Sequence, residues 1–280
     1  MAEYPALEIQ FPAPADASLH DRLYALLDDF DLVAIHEDEP GCRWRVFFRS
    51  GERRDAASAS IASTLPPDLI RASPVDVPDD DWARRSQENL KAIRAGGLII
   101  APPWDVPTLQ SDSGLVIIIE PSTGFGTGHH ATTRLCLHLM QRLELRGARV
   151  LDIGAGSGVL ALAAWKLGAA DVVAVDSDED ALDNARDNIA RNGAAPSIDI
   201  IRDDLATLRI ERADVVLANL TGAALVRFAA ELRGLARGGG YFVLSGFAPQ
   251  DTAVIRTAFG GLTVVDERVE GEWAAICLRA

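Results

Sequence analysis

Val150-Leu151-Asp152-Ile153-Gly154-Ala155-Gly156-Ser157-Gly158 is the stretch whose reading decides the fold. Val150 to Ile153 reads as a buried strand, because its apolar residues run on with little polar alternation. The glycines mark a turn that leaves the strand and enters a helix at once, which demands dihedrals open mainly to glycine. Residues without side chains also let a ligand lie against the backbone at the helix start. A second apolar run, Asp171 to Asp176, ends on an acidic residue. Strand, glycine turn, helix and acidic strand end together predict a cradle for an adenosine-bearing cofactor.

The spacing discriminates among such cofactors. A dinucleotide fingerprint reads G-x-G-x-x-G, with the turn wrapped round a pyrophosphate. Here the third glycine is Gly158, and Val159 stands where that fingerprint needs glycine. Asp152 beside the loop is awkward for a pyrophosphate but suits a cationic ligand, such as the amino group of a methionine moiety. This G-x-G-x-G turn preceded by Asp152 resembles the first motif of the Rossmann-like S-adenosylmethionine-dependent methyltransferases. S-adenosyl-L-methionine is the cofactor that the resemblance implies, cradled by Asp152, Gly154, Gly156 and Gly158.

Outward from this motif, strand and helix alternate: Gly158 to Leu167, Asp171 to Asp176, Glu179 to Asn192, Ile198 to Ile201, Val215 to Asn219, Gly222 to Leu235 and Tyr241 to Gly246. Alternation predicts an α/β fold with a parallel sheet covered on both faces. Leu262 to Val269 and Trp273 to Leu278 read as a closing antiparallel hairpin, a feature of the methyltransferase sheet. In an open parallel sheet, ligands bind beyond the carboxyl ends of the strands, where strand order reverses. Residues just after the strands are then the site candidates: Asp152 to Gly158, Asp176 with Ser177, Asp203 and Asp204, and Asn219. The spacing from Asp152 to Asp176 suits a carboxylate that accepts from both ribose hydroxyls. Asp203 or Asp204 either meets the adenine amino group or caps a helix. Asn219 stands where a methyltransferase would present its reacting face. An amine must be neutral to attack, and free lysine titrates near ~10.4. An asparagine carbonyl orients the neutral amine without a charge that would hold it protonated.

Before the sheet, Thr132 to Leu143 reads as a helix, with Leu135, Leu139 and Leu143 on one face. Gly97 to Ala101 and Leu115 to Glu120 read as two short strands across a Pro102-Pro103-Trp104 turn. The first eighty residues order as strand Tyr4 to Phe11, helix Ser18 to Asp28, strands Leu32 to His36 and Trp44 to Phe48, helix Arg53 to Leu65 and strand Ile70 to Val77. That β-α-β-β-α-β order is the split ferredoxin-like arrangement. Two domains and a connector follow: 1–78 for substrate recognition, a connecting helix in 79–96 (Trp82 to Arg94), and a methyltransferase domain in 97–280.

The loop Phe125-Gly126-Thr127-Gly128-His129-His130-Ala131-Thr132-Thr133 is too elaborate for a connector, with glycines for close approach and hydroxyls at a helix start. Together with Asp81-Trp82, Glu88-Asn89, Pro102-Pro103-Trp104 and Ala218-Asn219-Leu220, it resembles the bacterial ribosomal protein L-eleven methyltransferase family from about Asp81 onward. The resemblance implies a small N-terminal substrate-binding domain, a Rossmann-like catalytic domain, and methylation of lysine or N-terminal amino groups on one large-subunit ribosomal protein. It carries cofactor contacts onto Thr133, Gly154, Asp176 and Asn219, and a substrate loop onto Phe125, Gly126, Thr127 and Gly128. Two departures stand out. Pro121-Ser122-Thr123-Gly124-Phe125 replaces a P-G-x-A-F lead-in, and Ala218-Asn219-Leu220 lacks the proline turn and aromatic of N/D-P-P-Y/F. Rival readings are a methyltransferase for another protein or a small-molecule amine, and a nicotinamide-dependent oxidoreductase, which Val159 and the hairpin disfavour.

His130 has two readings, a catalytic group that accepts a proton from or positions the amine, and a brace of the loop. A metal site from His130, Cys136 and His138 is disfavoured, since helix positions two apart diverge by roughly 200°. Trp82 and Trp104 read as packing for the connector. With 27 basic against 41 acidic residues, the net charge of −14 argues against binding bare nucleic acid and is compatible with a basic protein partner. Cys42, Cys136 and Cys277 are too scattered for a disulfide framework. Neither a targeting segment nor a membrane span is read, so a cytoplasmic monomer is expected.

Overall fold

The computed structural model describes residues 3–11, 19, 23, 26–27, 30, 32–37, 43–66, 69–78, 90–106, 114–121 and 128–280. The chain divides into two compact units, Met1–Glu88 and Asn89–Ala280. The division falls inside the stretch read as a connector.

The first unit holds strands β1 (Glu3–Gln10), β2 (Leu32–Glu37), β3 (Arg43–Phe48) and β4 (Arg71–Pro78), with helix α1 (Gly51–Thr64). Sheet order is β2-β3-β1-β4, every pair antiparallel. That order is the one a split β-α-β-β-α-β chain produces. α1 starts where Ser50 Oγ accepts from the Arg53 amide, and it buries Ala57 and Ile61 against Leu7, Ile9, Trp44, Val46 and Phe48. Of the stretch read as a first helix, Leu19, Leu23, Leu26 and Leu27 are helical and join this core. Its cap, Ser18, lies outside the described residues.

In the second unit, the expected connecting helix does not reach Arg94. Trp82 to Asn89 lies outside the described residues, Leu90 to Ala92 is irregular, and Ile93–Ala95 is strand β5. The reason is local: Gly96, at φ 62°, turns β5 back onto β6 (Leu98–Ala101) as a tight antiparallel pair. Trp104 Nε1 donates to the Leu90 carbonyl, and Asp105 accepts from the Ala92 amide at 2.6 Å, pinning the incoming chain. β6 pairs with β7 (Leu115–Ile118) in parallel, so the turn after Ala101 does not close a hairpin.

Helix α2 (Ala131–Met140) precedes the main sheet, ending three residues earlier than expected. Then come β8 (Arg149–Ile153), α3 (Val159–Lys166), β9 (Asp171–Asp176), α4 (Glu179–Arg191), β10 (Ile198–Arg202), β11 (Ala213–Asn219), α5 (Gly222–Arg227), α6 (Ala229–Gly234), β12 (Ala236–Phe247), α7 (Thr252–Ala258), β13 (Thr263–Glu270) and β14 (Trp273–Arg279). The single helix expected from Gly222 to Leu235 is two, bent at Phe228 (φ −103°, ψ 19°). β12 begins earlier than expected, because Arg237-Gly238-Gly239-Gly240 carries no side-chain alternation to reveal it.

Seven strands lie in the order β10-β9-β8-β11-β12-β14-β13. β8 to β12 are parallel, and β14 runs antiparallel between β12 and β13. This is the α/β sheet with a closing hairpin that the sequence predicts. Alternate residues serve opposite faces: Val150, Val215 and Leu217 pack under α2 and α3, while Leu151, Ile153, Val216 and Ala218 pack under α5 to α7. No helix among the described residues is long and apolar enough to cross a membrane.

Candidate active site

Strand order reverses between β8 and β11, opening a crevice at the carboxyl edge. Register levels the strand ends there. Ile153 pairs with Val175, Asp176 with Arg202, Ala218 with Ile153 and Asn219 with Ser245. Gly154, Asp176, Asp203 and Asn219 therefore stand in one row.

The glycine turn takes the left-handed dihedrals that its sequence requires, with φ 72° at Gly154, 52° at Gly156 and 76° at Gly158. The Gly154 and Ala155 amides both donate to the Val175 carbonyl, folding the turn over β9. Asp176 completes the clasp: one carboxylate oxygen accepts from Gly156 N at 2.9 Å and the other from Asp178 N at 3.1 Å. A carboxylate has about four acceptor sites, so capacity remains toward the crevice. Ser177 is exposed beside it.

Asp152 has a different duty from the ammonium contact expected of it. It is 1% exposed, and its carboxyl accepts from Ala161 N inside α3 at 2.9 Å. It braces the turn from behind. Burial, opposed by that hydrogen bond and reinforced by the charge of Asp176, pushes its carboxyl up to about 7. No helix follows Asp204 for it to cap; it closes a turn, where its Oδ1 accepts from Ala206 N and its carbonyl from the Thr207 and Leu208 amides. Asp203 is half-buried at the end of β10, accepting from the Thr207 hydroxyl.

Across the switch point, Asn219 Nδ2 donates to Thr132 Oγ1 at 3.1 Å. Asn219 Oδ1 and Thr133 Oγ1 are buried without a hydrogen-bond partner. Buried polar atoms left unsatisfied at a strand end and at a helix start are what a ligand would complete. Leu220 follows in a tightly confined corner. A Cβ on Gly154 would lie 2.4 Å from the Leu220 side chain, and one on Gly246 only 2.0 Å from the Leu220 carbonyl oxygen. Gly246 sits at φ 95° where the β12 to β14 register shifts. An isolated glycine within a strand pattern signals such an approach, and Leu244-Ser245-Gly246-Phe247 carried that signal.

His130 caps α2 and meets Trp273 edge-on, ring centroids 4.8 Å apart. Arg134 fastens the neighbouring backbone, binding the His129 carbonyl and Glu270. Of the substrate-loop candidates, Gly128 packs against Ile100, and Phe125, Gly126 and Thr127 lie outside the described residues. Asn188, unmarked in the sequence reading, is fully buried and joins the two sides. Its amide donates to the Ser157 carbonyl and accepts from Glu120 N, where the chain enters that loop.

A family model described as ribosomal protein L11 methyltransferase (PrmA) matches residues 42–280. The chain belongs to the ribosomal protein L11 methyltransferase family. A relative of that name from Pelotomaculum thermopropionicum is 37% identical over 232 residues, spanning 81% of this chain and 75% of its own length. Another from Deinococcus radiodurans is 36% identical over 283 residues, spanning 92% of this chain and 98% of its own. The crystal structure of ribosomal protein L11 methylase from Lactobacillus delbrueckii subsp. bulgaricus superposes with a TM-score of 0.63 at 26% identity, covering 68% of this chain and 98% of that one. The family match begins well upstream of Asp81, so part of the weakly resembling N-terminal region lies within it.

Proposed function

We propose that this protein transfers methyl groups from S-adenosyl-L-methionine to lysine or N-terminal amino groups of ribosomal protein L11. The observation that carries the reading is the pairing at the switch point of a carboxylate-clasped glycine turn with a buried, unpartnered asparagine carbonyl. The names of the relatives supply the substrate.

The cradle fits the cofactor. Gly154, Gly156 and Gly158 keep side chains off the turn, Asp176 offers acceptors for the ribose hydroxyls, and Thr133 Oγ1 offers an unsatisfied polar atom to the remainder. When bound, the cofactor supplies an electrophilic methyl on a sulfonium. Asn219 Oδ1 would hold one N–H of the neutral acceptor amine, aiming its lone pair for in-line attack. Catalysis then comes from orientation and from excluding water, without a covalent enzyme intermediate. Asp203 stands where the adenine amino group would be met, while Asp204 is left to its turn. Residues 1–78 would recognise the protein substrate, a division of labour consistent with a separate N-terminal unit.

Incubation with methyl-labelled cofactor and purified ribosomal protein L11, followed by mass spectrometry, tests this directly. Mass gains in steps of one methyl on lysine or N-terminal amines are expected. An unmodified L11 alongside a methylated small amine would overturn the substrate assignment.

A further inference from the structure

Asn219 can act as described only if its carbonyl, and not its NH2, faces the amine, and the structure shows what decides this. We propose that Thr132, itself oriented by His130, is the positioning residue that fixes the Asn219 amide with Oδ1 turned to the acceptor amine. The proposal rests on the methyltransferase reading above.

The chain of reasoning starts at the backbone. His130 is the N-cap of α2, and its Nδ1 lies 3.4 Å from the Thr132 amide nitrogen and 2.8 Å from Thr132 Oγ1. A backbone N–H can only donate, so Nδ1 must be the bare nitrogen and the ring proton sits on Nε2. The Thr132 hydroxyl has one proton to give. Since Nδ1 can only accept, that proton goes to His130, and Oγ1 is left as an acceptor. Asn219 meets Oγ1 at 3.1 Å, and only the NH2 end of its amide can donate there. The carbonyl end is thereby turned away from Thr132, where it lies buried with no partner. Helix start, tautomer, hydroxyl and amide are locked in series, and each link has one permitted direction.

The surroundings keep the ring in the required form. Burial first, then the positive charge of Arg134, holds His130 below the usual imidazole range. Arg134 is the charged neighbour on α2, and Glu270 at the end of β13 pairs with it, while Trp273 of β14 contributes an apolar edge. A ring that already carries its proton on Nε2 and accepts twice on Nδ1 is no base for the incoming amine. Of the two readings open for His130 in the sequence, this sets aside the group that acts on the amine directly: the ring acts through Thr132, nearer to the brace of the loop. The reversed amide would present N–H groups to the amine lone pair, the electrons that have to attack.

Thr132→Val keeps the shape of the side chain and removes both hydroxyl links, whereas Thr132→Ser keeps the links and loses a methyl. Thr132→Val should lower kcat for L11 methylation about tenfold to a hundredfold, as misorientation of a positioned group does. Cofactor affinity by calorimetry should stay within about threefold, because the hydroxyl acts on the acceptor side. Thr132→Ser should recover most of the turnover. His130→Asn, whose side-chain oxygen can accept from the same two donors, should recover most of what His130→Ala loses. In the intact wild-type protein, nitrogen NMR should show His130 protonated on Nε2. An Nδ1-protonated ring, an unchanged kcat in Thr132→Val, or a Thr132→Ser as poor as Thr132→Val would overturn the proposal. If wild-type protein methylates no amine while the Nε2 tautomer is found, the functional reading fails and the hydrogen-bond series stands.

Discussion

On the β8, β9 and β10 side of the switch point, the crevice is lined by a glycine turn and acidic side chains that lie close together along the chain. On the β11 and β12 side it is lined by one amide, one hydroxyl and a backbone corner, whose partners come from distant segments. Asp176 clasps Gly156 at a separation of 20 residues, whereas Asn219 reaches Thr132 across 87. The first side has the character of a prefabricated part, since strand, turn and helix impose their geometry on one another. The second exists only once the whole sheet has formed, and the proposed selection of a neutral amine there would depend on orientation rather than charge.

The largest effect expected from disturbing this contrast is at Gly246. Gly246→Ala places a Cβ on the Leu220 backbone, which cannot swing away as a flexible side chain could. Loss of about 3 kcal/mol in stability is expected from overpacking at a left-handed position. Urea unfolding measures it, and a change under ~0.5 kcal/mol would show that the corner is looser than its geometry. Next is Asp176→Ala, which removes the ribose acceptor and the Gly156 clasp together. Cofactor affinity should fall at least about a hundredfold while cooperative unfolding persists. Asp176→Asn, which keeps one acceptor, should fall less. Calorimetric binding equal to wild type would dissolve the division between the two sides.

Asn219→Ala should show the opposite signature, with kcat down about tenfold or more and cofactor affinity nearly spared. Equal losses in both would mean that Asn219 belongs to the cradle. Behind the turn the expected effect is one of pH dependence rather than of size at a single pH. Burial pushes the Asp152 carboxyl in the folded chain up to about 7, against about 3.9 for an unburied aspartate. Between those values the folded state keeps a proton that the unfolded state has released, so stability falls as pH rises from about 4 to about 7. Above that window the cost is constant. Asp152→Asn should flatten the stability profile there, by at most about 1.4 kcal/mol per pH unit. A difference between variant and wild type that does not change with pH would remove the buried carboxyl from the account.

The same contrast explains what could be read from the chain. The sheet and the closing hairpin were legible because apolar runs and glycine spacing report local geometry, whereas the reversal between β8 and β11 is a matter of strand order. Asp176 and the glycines were legible for the same reason. Asp152 misled, since an acidic residue beside a ligand turn gives no sign of which way it faces; parity along β8 put it on the α2 and α3 side, in the core. Asp203 and Asp204 could not be separated by sequence, and both carboxylates hold the turn that follows β10. Thr132 stood in a quoted motif without a role, because its partners are set by a helix cap and a strand end that sequence does not bring together. β5 was hidden because three residues before a glycine turn carry no period of their own.

The place of β14 has a consequence for how the molecule is made. It lies between β12 and β13, both of which precede it along the chain. While synthesis is at β13, the growing sheet has an open edge at β12, with unpaired amide and carbonyl groups that invite wrong pairing. The strand that closes this edge also brings Ala274, whose carbonyl accepts from the Ser245 hydroxyl beside the Asn219 corner. The strands that frame the glycine turn thus precede along the chain the one that supplies the Ser245 contact. Completion of that edge waits on one late strand, which docks on β12 and brings β13 into the sheet as the outer strand of its hairpin.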